Sequence, residues 1–272
     1  SLLAISVGNT RTALGAFRAG QLIASERVDN DDRPATLRHA QLLWESIDGV
    51  HDVSNDHDDG DVDGDATIVI ASVNDAVGDP LRDSLKARLG QAVWRVGDDV
   101  PIPIGTQLDP ETLVGIDRLL NAAAAWDRLQ SACVVVDAGT AITVDFVDGV
   151  GTFQGGAIAP GARMQLTALH EHTHGLPLID LAAPDPEAFG KNTRQAMLNG
   201  VVHGIRGMVW RLLERYAESY GAFPPVLATG GDAPLLFAGD ELVNVVVPDL
   251  TLQGISVAVR AAAARDESDS GT

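Results

Sequence analysis

Cysteine is nearly absent: the 272-residue chain has one, Cys133. That excludes a disulfide within the chain and a cysteine-based zinc cluster. Cys133 sits in the apolar run Ala132-Cys133-Val134-Val135-Val136, which points to a small buried hydrophobe rather than a nucleophile. Basic residues are also few. Against 38 Asp and Glu stand 19 Lys and Arg, a formal net charge of −19. Nucleic acid is therefore not an expected partner, because phosphate neutralisation by Lys and Arg dominates that affinity. Small anionic substrates stay open, since local amides, Arg and metal ions outweigh a distant field. No apolar run reaches about 18 residues, so no membrane-spanning helix is expected. Leu2–Val7 is too short for a signal peptide and has no basic flank. The expectation is a cytoplasmic protein of one or two domains, with 45% hydrophobic residues to form a core.

Much of the acidity is local. Asp48 to Asp65 contains eight aspartates and no Lys or Arg. Asp59, Asp61, Asp63 and Gly64 resemble the start of a calcium loop, but that loop ends in a bidentate Glu and Ile70 stands in its place. The run reads as a solvated insertion, 48–65. The polar tail 265–272 is expected to fray.

Leu2–Val7, Thr12–Phe17 and Leu22–Val28 read as strands, separated by turn signals at Gly8-Asn9 and Ala19-Gly20. A helix over Ala35–Ile47, a strand over Thr67–Val73, a helix over Pro80–Leu89 and a strand over Ala92–Val96 follow. Leu113–Leu129, rich in Ala and Leu, reads as a helix. Then the order starts again: strands Cys133–Val136, Ala141–Phe146 and Thr152–Ile158, a helix from Ala162, and a long helix Thr193–Tyr220. The apolar positions of that helix, from Met197 through Val201, Ile205, Val209 and Leu212 to Tyr216, form one stripe. Strands Val226–Ala228 and Val243–Val246 and a helix Leu252–Ala264 complete it. The βββ-α-β-α pattern thus occurs twice without a close sequence repeat. The expected halves are 1–114 and 115–264, with 115–130 as a bridging helix. Two such halves leave a cleft, where ligand sites prefer to lie.

Six short motifs bear on chemistry. Gly8-Asn9-Thr10 and Gly139-Thr140 each follow an apolar strand and can offer N–H groups and a hydroxyl to phosphate oxygens; each can equally be an ordinary hairpin turn. Asp137 ends the strand before the second turn. Thr229-Gly230-Gly231-Asp232 reads either as a close backbone approach to a flat ligand or as a strand-to-helix turn with Asp232 as N-cap. Gly115-Ile116-Asp117-Arg118 opens a helix. There Asp117 is either a first-turn acid or a base beside a cation that holds a substrate carboxylate. Gly155-Gly156, within Gly155–Gly161, implies close approach to a ligand or to another strand. Thr193, after Gly190-Lys191-Asn192, is either an N-cap or a substrate donor. The glycines Gly200, Gly204 and Gly207 permit a second helix to pack closely, or packing on the sheet. The alternating His170, His172 and His174 lack an acid cluster and read as a surface or interface loop.

In this order and spacing the motifs resemble type III pantothenate kinase, over about Leu2 to Ala264. The resemblance implies an α/β fold of two RNase H-like (ribonuclease H-like motif) halves with a cleft between them, in the actin-like ATPase superfamily. It implies ATP-dependent phosphorylation of pantothenate to 4'-phosphopantothenate, the first step of coenzyme A biosynthesis. Mg2+ and a monovalent cation, K+ or NH4+, are implied, as is a homodimer with a shared substrate pocket. By position, Asp117 resembles the catalytic base. Val7, Gly8, Asn9, Thr10, Gly139, Thr140, Gly230 and Gly231 resemble the ATP contacts. Gly115, Arg118, Gly155, Gly156 and Thr193 resemble the substrate contacts, with Thr193 given by the partner subunit. Asp137 resembles the acid that helps hold the monovalent cation.

Two departures stand out. Ser6 occupies the position of the family's magnesium-side acid, and losing a carboxylate there costs on the order of 100-fold in rate. Gln107-Leu108-Asp109-Pro110 has no Tyr where the family often places one in the substrate pocket. Two further readings follow: a catalytically weakened homologue that binds nucleotide or acts in regulation, and a kinase for another small hydroxylated substrate.

Overall fold

The hairpin chemistry read in the first residues is present. β1 (Leu2–Val7) and β2 (Arg11–Arg18) pair antiparallel, and β3 (Gln21–Asp29) adds to β2. The β2–β3 connection is Ala19-Gly20, with φ of 48° and 76°. Two positive φ values in a two-residue loop give the turn whose twist matches the strands. After α1 (Arg33–Asp48) come β4 (Thr67–Ser72), α2 (Asp75–Leu89) and β5 (Val93–Arg95). β4 runs parallel to β1 and β5 parallel to β4, giving the order β3-β2-β1-β4-β5. This computed structural model describes residues 1–48 and 66–270. Apart from Asp48, the acidic run and its calcium-loop reading lie outside the described residues.

Period-two alternation sorts β1 between two cores. Leu3, Ile5 and Val7 pack with α1 and α2 through Ala40, Leu43, Trp44, Leu81 and Leu85. Leu2 and Ala4 face the other way, towards Leu120 of α3 (Ile116–Leu129) and Leu252, Ile255 and Ala258 of α7 (Leu250–Ser270). Ser6 continues this second face, paired in register with Ala13 and Ala71.

The second sheet repeats the first. β7 (Cys133–Ala138), β8 (Ala141–Val147) and β9 (Thr152–Pro160) form an antiparallel meander, and β10 (Val226–Thr229) and β11 (Val245–Val246) add parallel to β7. The order β9-β8-β7-β10-β11 reproduces β3-β2-β1-β4-β5, sense for sense. A short β6 (Gly105–Thr106) adds parallel to β9 at the edge. α4 (Ala162–Glu171), α5 (Thr193–Tyr220) and α6 (Ala233–Phe237) surround a core with Val134, Val136 and Ala228. The stripe expected on α5 is buried there through Met197, Val201, Ile205 and Val209. Its glycines do not pack on the sheet: beyond the helix's own backbone and chain neighbours, no described atom lies within 4 Å of a methyl placed at Gly200, Gly204 or Gly207.

Contacts divide the chain into two compact units. Unit 1 takes Ser1–Pro103, Leu113–Ala124 and Thr251–Thr272; unit 2 takes Ile104–Thr112 and Ala125–Leu250. Some element ends differ from expectation. α2 starts at Asp75 rather than at Pro80: the Val77 and Gly78 N–H groups donate to the Asn74 carbonyl, and Pro80 lies inside the helix, where its missing N–H leaves one helix bond unmade. α3 starts at Ile116, leaving Leu113 exposed. α7 continues as helix through Ser270, where fraying was expected.

Candidate active site

Unit 1 carries the first glycine turn and the acid of the central helix. In the turn, the Gly8 N–H donates to the Arg11 carbonyl at 2.9 Å, while Asn9 and Thr10 are exposed. Neither has positive φ, so this is not the mirror-type turn of the β2–β3 hairpin. Its shape comes from outside the hairpin. The Asn30 amide donates to the Gly8 carbonyl at 2.9 Å, and the Thr12 hydroxyl donates to the Asn30 side-chain oxygen at 2.8 Å. Asn30 was not among the sequence candidates.

Asp117 sits in the first turn of α3. A methyl at Gly115 would come within 2.6 Å of its Oδ1 and 3.9 Å of Val73. Glycine at 115 therefore leaves the space in which the carboxylate folds back. Val73 in turn donates its N–H to the Val7 carbonyl at 3.0 Å. Asp117 is thus linked through Gly115 and Val73 to the end of β1, on the side where open α/β sheets place their sites. Burial pushes the Asp117 carboxyl above its ordinary value, opposed by the Arg118 N–H at 2.8 Å and the Arg118 charge.

In unit 2 three glycines converge on the β7–β8 turn. The Gly139 N–H donates to Ala141 and the Gly161 N–H to the Thr140 carbonyl. A methyl at Gly161 would lie 2.4 Å from the carbonyls of Gly139 and Thr140. At Gly230, with φ of +94°, it would lie 2.4 Å from the Ala138 carbonyl and 2.5 Å from Asp137 Oδ1. Thr229 stands opposite Asp137 in register. The structure therefore brings Asp137, Gly139, Thr140 and Gly230 together, with Gly231 next in chain.

Other sequence readings are decided differently. Asp232 is buried but makes no side-chain cap; its carboxylate meets Arg163 at 3.2 Å and its N–H donates to the Ala138 carbonyl at 3.0 Å. The N-cap of α5 is Asn192, not Thr193. Asn192 Oδ1 accepts from the Gln195 N–H, and Gln195 Oε1 accepts from the Lys191 N–H, both at 2.9 Å. Gly156 answers to strand approach, since a methyl there would meet the Val144 carbonyl at 2.1 Å; Gly155 has φ of +94° beside Leu108. His170 Nδ1 pairs with the Leu176 carbonyl at 2.8 Å. Among the described residues no group of three or more His, Cys, Asp or Glu could hold a metal ion. Cys133 is fully buried, and burial pushes its thiol up to about 12.

Two β-sheet units of the same strand order in one chain make a duplicated α/β fold. Solved structures agree at this level. A Baf family protein of Campylobacter jejuni is 19% identical with a TM-score of 0.60, covering 96% of this chain and 98% of that one. A Sinorhizobium meliloti protein described as a 2-dehydro-3-deoxygalactonokinase is 14% identical with a TM-score of 0.55, covering 96% and 99%. A sequence model of type III pantothenate kinase matches residues 2–215. A type III pantothenate kinase of Dehalococcoides mccartyi is 32% identical over 94% of this chain and 96% of its own length. The chain belongs to the type III pantothenate kinase family.

Proposed function

We propose that the protein transfers the terminal phosphoryl group of ATP to the hydroxyl of pantothenate, giving 4'-phosphopantothenate and ADP. The observation that carries this reading, beside the family, is the Asp117 carboxylate in the space left by Gly115, with its proton affinity raised by burial. A base works best when its pKa approaches the working pH. Asp117 takes the hydroxyl proton as the oxygen bonds to phosphorus and the bond from phosphorus to the ADP oxygen breaks. Arg118 holds the substrate carboxylate. Gly8-Asn9-Thr10 after Val7, and Gly139-Thr140, face the phosphates; the Gly8 and Gly139 N–H groups are held by Arg11 and Ala141, so Asn9, Thr10 and Thr140 carry the donors; Gly230-Gly231 line the nucleotide. Gly155 meets the substrate through its backbone, and Gly156, which lets β9 lie close on β8, holds it there. The transfer relies on positioning and charge neutralisation.

Ser6 supplies a hydroxyl and no charge, so Mg2+ fits this site as an ion carried mainly by the nucleotide phosphates. When bound, it neutralises charge on the transferred group. Asp137 is the carboxylate for a K+ or NH4+ ion. A homodimer, with Thr193 of the partner subunit reaching the substrate, belongs to the same reading. The open glycine face of α5 supports close approach of a second helix.

The test is an ADP-release assay with pantothenate, Mg2+ and K+ on the unaltered protein and on Ser6→Asp. Turnover by the unaltered protein is expected, with Ser6→Asp faster by up to about 100-fold. Turnover by Ser6→Asp alone would mean a disarmed site and a binding or regulatory role. Turnover by neither would refute the reading.

A further inference from the structure

Asn30 follows β3, yet its bonds all go to the turn between β1 and β2. Its side-chain amide donates to the Gly8 carbonyl at 2.9 Å. Its side-chain oxygen accepts from the Thr12 hydroxyl at 2.8 Å. Its backbone N–H donates to the Thr10 carbonyl at 3.0 Å. Thr12 is 1% exposed, so the hydroxyl that orients the Asn30 amide is itself fixed.

The consequence follows from peptide geometry. In a planar trans peptide the carbonyl and the following N–H point in opposite directions, and the described chain has no cis peptide bond. Holding the Gly8 carbonyl towards Asn30 turns the Asn9 N–H away from it. Holding the Thr10 carbonyl does the same to the Arg11 N–H. A turn of Gly8, Asn9 and Thr10 without positive φ has no mirror-type geometry to hold this orientation.

We infer that Asn30, oriented by Thr12, is a positioning residue that aims the Asn9 N–H of the Gly8–Thr10 turn at the phosphates of ATP. This rests on reading that turn as a phosphate site. The Asn30 side chain bonds Gly8 in the turn and Thr12 in β2, and neither partner is Asp117 or Arg118.

The experiment measures KM for ATP and for pantothenate, with a calorimetric Kd for Mg-ATP, on the full-length protein and its variants. Asn30→Ala removes both side-chain bonds. Asn30→Asp keeps the acceptor for Thr12 and puts an oxygen against the Gly8 carbonyl. Each is expected to raise KM and Kd for ATP by about tenfold, the size of one such bond, with KM for pantothenate within about twofold. Thr12→Ser keeps the hydroxyl and should stay near the unaltered values, whereas Thr12→Val should move towards Asn30→Ala. A merely structural role would move both KM values together or lower kcat alone, and either result overturns the inference. So does an ATP Kd within about twofold of the unaltered value in Asn30→Asp, which also decides the matter if Asn30→Ala does not fold. Failure of the unaltered protein to phosphorylate pantothenate defeats the kinase reading; the Kd series for Mg-ATP still judges Asn30.

Discussion

Replacing Asp117 with Asn separates catalysis from stability. Asn matches Asp in shape and its Oδ1 can still accept the Arg118 N–H, now at 2.8 Å. It cannot take the substrate proton. A positioned general base contributes about 10²- to 10⁴-fold, so kcat for Asp117→Asn should fall by that factor. ATP binding should hardly change, because the residue addresses the acceptor. Stability should move the other way. Burial raises the Asp117 pKa, so the fold favours the neutral acid. A carboxyl raised on folding gains stability as pH falls through its folded pKa, and its charge is a cost above that value. Asn removes this charge, so the midpoint of thermal unfolding at neutral pH should stay level or rise. The same shift moves the acidic limb of kcat/KM upward from where an ordinary aspartate would place it. The assays are ADP release across pH and thermal unfolding. A variant that keeps more than about a tenth of kcat would refute the base assignment. A melting point several degrees lower would show that the carboxylate serves the fold instead.

At Gly230, Ala combines a positive φ with contacts of 2.4 and 2.5 Å to Ala138 and Asp137. A left-handed alanine costs about 1–2 kcal/mol and overpacking about 1–3, so urea unfolding should show a loss of about 2–5 kcal/mol; less than about 1 would mean the turn relaxes freely. Burial and a thiol pKa near 12 make Cys133 inert in the native protein. Aromatic disulfide reagents should modify it only on unfolding, and rapid native reaction would contradict its placement.

Strands were legible where apolar runs met local turn signals. Leu2–Val7 and Ala19-Gly20 needed no distant information, and the doubled strand order followed from the same punctuation. Helix starts were less so. Pro80 looked like a first-turn proline, but α2 opens a turn earlier, where the Val77 and Gly78 N–H groups bond the Asn74 carbonyl. Asp232 looked like a cap because the helix begins beside it, while its partner Arg163 is far away in sequence. Thr193 read as the cap, but Asn192 takes that place, with Gln195 bonding back to both Asn192 and Lys191. The place of Asp117 in the first turn of α3 was legible from Gly115 and Arg118. Asn30 was not, since nothing local marks a residue whose carbonyl partner, Gly8, belongs to another strand end.

The threading of unit 1 has a consequence for synthesis. Its core joins Leu2, Ala4 and Phe17 to Leu120 and then to Leu252, Ile255 and Ala258. Unit 2 needs nothing beyond Leu250. On the ribosome, the unit that begins first is therefore the one that finishes last. One face of its sheet, met earlier only by α3, waits for its remaining apolar cover until residues 252–258 have been made. Exposed apolar surface of this kind is what chaperones bind and what aggregates when they are scarce. Shortening α7 would thus strike the N-terminal strands, which the nascent chain presents earliest and closes last.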